Sequence, residues 1–132
     1  MAKNSNETKA YSAEIINSNK ELSAKERLIM KDTTACVQLD EVVQLGGDKL
    51  LINPETYALI SVHNEKSKDA KDYNKLVIVD KNGERYVTGS ESFTRTFFDI
   101  AEEMDGEEFG IYVFKKESKN YNGKGFLTCT VA

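Results

Sequence analysis

The sequence predicts a mostly β protein with one long helix, and three observations support this fold class. Short runs of alternating apolar residues recur along the 132 residues, as they do in half-buried strands. Turn signals such as Asn53–Pro54 and Asn82–Gly83 separate these runs. One stretch, residues 90–104, instead repeats its apolar residues at helical spacing. We expect one folded domain over residues 23–132, preceded by a flexible N-terminal arm over residues 1–22.

The predicted arm is rich in Asn, Ser and Lys, a composition typical of a mobile terminus. Within it lies a small apolar island formed by Tyr11, Ile15 and Ile16. Two interpretations stay open: the arm has no further role, or the island docks onto a neighbouring subunit. The second interpretation predicts self-association through these three residues.

The first part of the domain contains one ambiguous segment and two predicted strands. Ser23–Glu26 matches a capping box and predicts a short helix, although the apolar residues after it equally fit the start of a strand. Ala35–Val43 alternates and predicts the first long strand. Thr56–His63 alternates more strictly and predicts the second strand, with Tyr57 and His63 on one face.

A charged stretch, Asn64–Asn74, follows the second strand and has no apolar period. It is longer than the roughly four to six residues of an ordinary connection. Its lysines include Lys66, Lys68 and Lys71. It is either a solvated hairpin loop or a flap that closes over a ligand.

The third strand and the helix have the clearest patterns. Leu76–Val79 is an uninterrupted apolar run, so the strand Lys75–Asp80 is expected to be covered on both faces. Arg85–Thr88 extends it as a hairpin through a tight type I′ turn at Asn82–Gly83. Ser90–Met104 is predicted to be helical because its apolar residues form a single stripe. That stripe consists of Phe93, Phe97, Ile100, Ala101 and Met104.

The C-terminal stretch predicts two strands whose aromatic second face is not needed for a core. In the first strand, Ile111 and Val113 share one face while Tyr112 and Phe114 share the other. In the second strand, Phe126 lies on the face opposite to the apolar Leu127, Cys129 and Val131. The joining loop and strand ends carry Tyr121 and four lysines: Lys115, Lys116, Lys119 and Lys124. Aromatic rings beside ammonium groups are what single-stranded nucleic acid requires of a protein.

The distribution of charge permits a basic site on an acidic protein. The net charge is −4, which by itself does not favour a polyanionic partner. Residues 90–108 hold seven acidic residues and one arginine, whereas residues 115–124 hold four lysines and one glutamate. The basic charge is therefore concentrated on the C-terminal loop.

Several classes of protein are not indicated. No apolar run approaches the roughly 18–20 residues of a membrane span, and the N-terminus lacks the apolar region of a signal peptide, so we expect a cytoplasmic protein. Cys36 and Cys129 lie in apolar patterns and are expected to be free thiols rather than a disulfide. His63 is the only histidine and no metal-ligand spacing occurs. Catalytic motifs are absent as well, so we expect neither an enzyme nor a cofactor.

The predicted order of three strands, a helix and two strands resembles that of the OB-fold, a five-stranded Greek-key barrel with its helix between strands 3 and 4. Tyr86–Ser90 and the ending SKNYNGKGFLTCTV are similar to the small single-stranded DNA-binding proteins of phages and conjugative plasmids of Gram-positive bacteria. The resemblance covers roughly residues 33–131. It implies that loops 64–74 and 117–125 embrace the strand. Tryptophan is absent, so tyrosine and phenylalanine would stack on the bases.

This resemblance implies a protein that coats single-stranded DNA, with RNA still open as a ligand, during phage or plasmid replication or transfer. The expected stacking residues are Tyr112, Phe114, Phe126 and Tyr121, with Tyr57 and Tyr86 as weaker additions. The expected phosphate ligands are Lys66, Lys68, Lys71, Lys115, Lys116, Lys119 and Lys124. Each aromatic ring also fits plain core packing. The alternative function is an OB-like module whose aromatic face binds another protein.

Overall fold

The computed structural model describes residues 10–68, 70–117 and 125–132. In chain order its elements are β1 (Tyr11–Ser18), α1 (Ala24–Lys31), β2 (Val37–Gln38), α2 (Leu39–Val42), β3 (Leu50–Ile52), β4 (Pro54–Asn64), β5 (Asp72–Asp80), β6 (Arg85–Thr88), α3 (Glu91–Met104), β7 (Ile111–Glu117) and β8 (Gly125–Val131). The prediction of a mostly β protein with one long helix is confirmed.

The larger sheet has five strands in the order β1-β4-β5-β6-β2. All of its pairs are antiparallel except β2 with β6, which is parallel. Leu76, Val77 and Ile78 at its centre are fully buried, because both faces of the sheet are covered, as predicted for this apolar run. On one face Ile78 packs in a cluster with α3 and the smaller sheet, and on the other Val77 packs near Met30 of α1.

The smaller sheet has three strands in the order β3-β7-β8. Only Asn53 separates β3 from β4, so one continuous stretch of chain passes from the smaller sheet into the larger one. Asp80 holds this corner, because its carboxylate accepts a hydrogen bond of 2.6 Å from the Asn53 N–H. The Asn53 carbonyl in turn accepts one of 2.9 Å from the Lys81 N–H. The corner ties the first strand of one sheet to the hairpin of the other.

The predicted helix and hairpin are confirmed, but the hairpin turn is not the predicted type I′ turn, because Gly83 alone among residues 81–84 has a positive φ. Ser90 caps α3, since its side chain accepts a hydrogen bond of 3.2 Å from the Phe93 N–H. Phe93 and Phe97 on the predicted stripe are completely buried. The β5–β6 turn places Gly83 at φ +93°, a conformation that glycine adopts without steric cost.

The ambiguous segment after Ser23 is a helix. The Ser23 side chain accepts from the Glu26 N–H at 3.1 Å, and the Glu26 carboxylate accepts from the Ser23 N–H at 2.9 Å. This reciprocal capping box satisfies two backbone donors that a helix start leaves unpaired. Met30 of α1 is buried against the five-stranded sheet, so the apolar residues here serve a helix rather than a strand.

Two predictions about the N-terminal half are wrong. Ala35–Val43 is not one long strand, because only Val37–Gln38 is extended and α2 follows it. Leu39 and Val43, four residues apart, are both buried, which is the spacing of one helical turn. Residues 11–18 are not a flexible arm, because they form β1 and pair with β4 from Tyr11↔Asn64 to Ser18↔Ala58; residues 1–9 lie outside the described part.

Candidate nucleic-acid interface

The two faces of the β7–β8 hairpin differ as the alternation predicts. Ile111 and Val113 of β7 are buried, as are Leu127 and Cys129 of β8. Burial also raises the pKa of the Cys129 thiol to about 12, which leaves it unreactive. Both Cys129 and the half-buried Cys36 are free, so the expectation of free thiols is confirmed.

The outer face of the small sheet presents apolar side chains to solvent. The exposed fraction is 39% for Tyr112, 40% for Phe126 and 47% for Leu51 of β3. Tyr112 pairs across the strands with Leu51 on one side and Thr130 on the other. Phe114 follows two residues after Tyr112 and is half-buried. We call Leu51, Tyr112, Phe114 and Phe126 together the aromatic face.

Two lysines accompany the aromatic face. Lys116 is exposed and pairs directly with Phe126 across the β7–β8 ladder. The Lys49 ammonium lies 4.8 Å from the centroid of the Phe114 ring, within the range of a cation–π contact. Sequence reasoning missed Lys49 and Leu51, because the segment that contains them showed no alternation. Only the β3–β7 pairing brings them to this surface.

Lys115, although adjacent to Lys116, does not join the aromatic face. Successive side chains on a strand point to opposite sides of the sheet, and the Lys115 ammonium donates a hydrogen bond of 2.8 Å to the Asp40 carbonyl in α2. It therefore ties α2 to the sheet rather than facing a ligand beside Tyr112. The prediction that Lys115 contacts phosphate beside Tyr112 is therefore wrong, because it neglected the alternation of side chains along β7.

The two weaker stacking candidates lie elsewhere, within or beside the core. Tyr86 is only 9% exposed and packs in the main cluster, and burial raises the pKa of its hydroxyl. The Tyr57 ring is half-buried and meets Phe97 edge-on with the ring centroids 4.8 Å apart. Neither ring lies on the face of β7 and β8 that holds Tyr112. For Tyr86 in particular, core packing explains the residue.

The predicted basic loop between the second and third strands closes the β4–β5 hairpin. Lys66 and Lys68 are exposed there, and the Lys71 ammonium lies 3.4 Å from the Glu65 carboxylate. The register places this loop at the Asn64 end of the continuous β3–β4 stretch, whereas β7 of the aromatic face pairs with the opposite end, at Leu50–Ile52. The structure therefore does not gather Lys66, Lys68 and Lys71 onto the aromatic face.

His63 of β4 contacts both β5 and the loop of this hairpin. Its Nδ1 atom lies 2.7 Å from the Asp72 carboxylate, and its Nε2 atom lies 2.5 Å from that of Glu65. Hydrogen bonds to Asp72 and Glu65 raise the pKa of His63, since they favour the protonated ring. Both contacts favour the protonated ring, because only an imidazolium can donate through both nitrogens.

The remaining predicted site residues divide into described and undescribed ones. Lys119, Tyr121 and Lys124 lie outside the described residues. Tyr11 and Ile16 on β1 are 48% and 53% exposed. Ile15 instead is half-buried and packs against the cluster on the α1 side of the large sheet, so it offers less surface to a neighbour than Tyr11 and Ile16.

Residues 10–68, 70–117 and 125–132 contain neither a helix able to span a membrane nor a cluster able to hold a metal ion. None of the helices there is long and apolar enough to cross a membrane. No group of three or more His, Cys, Asp or Glu side chains in the same ranges is placed to hold a metal ion.

Comparison with known proteins returns no match: no family model, no curated protein and no solved structure matches this chain.

Proposed function

We propose that this protein binds single-stranded DNA with little sequence preference, without catalysing a reaction. The observation that carries the proposal is the aromatic face, where Tyr112, Phe114 and Phe126 lie outside the core beside Lys49 and Lys116. Stacking of bases on such rings contributes about 1–3 kcal/mol per base and tolerates any sequence. Lysines beside the rings supply the contacts to phosphate.

We further propose that the two sheets are a variant of the OB-fold. The continuous β3–β4 stretch pairs with β7 through its first part and with β5 through its second. This is the double pairing expected of a long first barrel strand. The helix α3 lies between β6 and β7, and β7 and β8 form the last hairpin. In this assignment β5 and β6 are barrel strands 2 and 3, and β1, α1 and β2 are additions before the barrel.

Fluorescence anisotropy with labelled oligo-dT and a duplex of equal length, measured across a salt series, tests the function. We expect binding to the single strand alone, with an affinity that falls steeply as salt rises because bound phosphates release counterions. An oligo-U probe in the same series tests RNA. Absence of binding at low salt would reject the proposal.

A matched pair of substitutions tests the site. Tyr112→Ala should weaken oligo-dT binding by about 1–3 kcal/mol, roughly five- to 150-fold, because one stacking ring is lost. Leu28→Ala removes an exposed apolar side chain from α1, away from every proposed contact, and it should leave the affinity unchanged. Equal effects from both substitutions would show that the aromatic face is not the site.

Lys116 provides a second, electrostatic test. Lys116→Gln should reduce the slope of log affinity against log salt by about 0.7, the value for one phosphate contact on a single strand. Lys25→Gln, on the exposed side of α1, is the control and should leave the slope unchanged. The alternative is that the aromatic face binds a partner protein. In that case the affinity of the wild-type protein for the partner should depend little on salt. We place the protein in phage or plasmid DNA replication or transfer through the resemblance of Tyr86–Ser90 and of the C-terminal ending.

A further inference from the structure

A groove unrelated to the aromatic face lies between the end of β1 and the end of α3. Its main cavity has a volume of about 440 Å³, and an adjoining cavity of about 210 Å³ shares Asn19 and Tyr57 with it. Asn19 and Tyr57 therefore border both cavities. We call the two cavities together the acidic groove, for the residues described next.

Aromatic rings form the floor of the acidic groove. The Tyr57 ring centroid lies 6.0 Å from that of Phe98 and 6.4 Å from that of Phe109, and both pairs meet edge to face. Phe98 lines the smaller cavity and Phe109 the larger one. The three rings are half-buried, so parts of their surfaces remain accessible from the groove.

Carboxylates form most of its charged rim. Glu55, Glu107 and Glu108 line the larger cavity, Glu102 lines the smaller one, and Lys81 is the cation among the lining residues. Such a surface repels phosphate, so it does not serve the proposed nucleic-acid ligand. Negative charge above an aromatic floor is complementary to a cationic group, which gains from both features.

We propose that the acidic groove binds an arginine side chain within a basic segment of a partner protein. A guanidinium group is planar, stacks on aromatic rings and forms bidentate hydrogen bonds with carboxylates. The groove offers both kinds of partner within one cavity. This inference does not depend on nucleic-acid binding, because no residue of the aromatic face lines the groove.

Lysine side chains of the protein itself already form ion pairs with two carboxylates of the groove. The Lys81 ammonium forms an ion pair with Glu108 at the rim. The Lys20 ammonium lies 3.8 Å from the Glu55 carboxylate. Lys81 thus occupies one of the carboxylates that an incoming arginine would use. Removal of Lys81 should therefore strengthen binding of a cationic partner, whereas loss of the carboxylates should weaken it.

Anisotropy of the full-length protein with a labelled peptide GRGRGRG tests the proposal at about 0.15 M salt, where long-range attraction is screened. The matched control peptide replaces each arginine by citrulline, which keeps the shape and removes the charge. We expect binding of the arginine peptide, weaker binding of the lysine analogue and none of the citrulline peptide. Equal binding of the arginine and citrulline peptides, or of neither, would overturn the proposal.

Two triple variants locate the binding. Glu55→Gln, Glu107→Gln and Glu108→Gln together should weaken the arginine peptide by about tenfold, since each exposed charge pair contributes about two- to threefold. The control combines Glu14→Gln, Glu84→Gln and Glu103→Gln, which removes the same charge from exposed positions outside the groove. It should change affinity less than about twofold, the low end of an exposed pair. Equal losses in both variants would show binding to net charge rather than to the groove.

Lys81→Gln gives an effect of opposite sign. It should tighten the arginine peptide by about two- to threefold, because it frees the Glu108 carboxylate. A role of Lys81 in merely maintaining the fold would predict weaker binding instead. Unchanged or weaker binding to this variant would contradict the assignment of the site.

Discussion

At the scale of single residues, His63 shows how a side chain of the sequence acquires a definite role through its partners. It lies near the end of β4, opposite Asp72 of β5, and contacts Glu65 in the loop. Nothing in the alternation of the strand indicates that two carboxylates flank the ring. Because these contacts raise the pKa of His63 in the folded state, the stability of the protein must depend on its protonation.

We predict a specific pH dependence for this residue. A raised folded-state pKa contributes stability that is fully present below the ordinary value of about 6.5 and is lost as pH rises through the folded value. The melting temperature of wild type relative to His63→Gln should therefore be highest near pH 6 and fall towards pH 9. Thermal unfolding followed by circular dichroism measures this difference.

The comparison with His63→Gln cancels groups that titrate in both proteins. Glu65 sets the lower limit of the useful range, because the hydrogen bond from His63 lowers its pKa and the contact is lost when Glu65 is protonated in acid. A difference in melting temperature that is constant between pH 6 and pH 9 would rule out the charged pairing.

Other residues show why the candidate site was only partly predictable. Alternation along β7 and β8 placed Tyr112, Phe114 and Phe126 on the outer face, since local geometry alone decides it. Whether Tyr86 packs in the core or faces a ligand depends on what covers its strand, which only the tertiary structure determines. The role of Lys115 depends on a carbonyl in α2, 75 positions away in sequence.

At the scale of elements, α3 was predictable because its stripe and its caps are local. Its buried face packs in the main core cluster, where Phe97 contacts Tyr57 and Phe109 with centroid distances of 4.8 and 5.9 Å. The segment 35–43 was not predictable in the same way, because Leu39 and Val43 fit a strand or a helical turn equally well. Burial of both residues in the tertiary structure favours the helical turn of α2.

We predict that α3 contributes to stability chiefly through this buried face. Phe97→Ala should lower the free energy of unfolding by about 3–5 kcal/mol, since it creates a cavity in a fully buried site. Phe126→Ala removes the same ring from an exposed position and should change stability by only about 0.5 kcal/mol. Urea unfolding of both variants checks the contrast, and equal losses would mean that the aromatic face belongs to the core.

The three residues predicted to mediate self-association lie on the edge strand β1, and the structure changes which of them face outward. The shift in register between Ile15 and Asn17 leaves Ile16 without a partner on β4, and Ile16 is 53% exposed. β1 contains no lysine or proline, the residues that commonly block edge pairing. We propose that Tyr11 and Ile16, rather than Ile15, contact a second subunit.

Deletion of residues 1–22 would not test this idea, because it would also expose the edge of β4. Ile16→Lys should instead lower the mass measured by light scattering at high protein concentration, because a buried ammonium at the edge opposes pairing. Ile29→Lys places the same change on α1, at an isoleucine that is 42% exposed, and should leave the mass unchanged. A wild-type protein that is monomeric throughout would refute the prediction.

At the scale of the whole molecule, the net charge of −4 opposes the proposed binding of DNA. The distance over which this charge repels DNA depends on salt, because the screening length is about 30 Å at 0.01 M salt and about 8 Å at 0.15 M. At low salt, acidic residues anywhere on a domain of this size repel an approaching strand. At physiological salt, only charges near the bound strand influence it.

The two triple variants that test the acidic groove also test whether distant acidic residues repel DNA only at low salt. Each changes the net charge from −4 to −1 by removing three carboxylates. At about 0.01 M salt, where screening is weak, both should strengthen oligo-dT binding to a similar extent. At about 0.15 M salt, both should match wild type, since none of the six glutamates lies on the aromatic face. Anisotropy at the two salt concentrations measures this. If either variant still binds more tightly at the higher salt, its carboxylates lie close to the bound strand, and the strand must extend beyond the aromatic face.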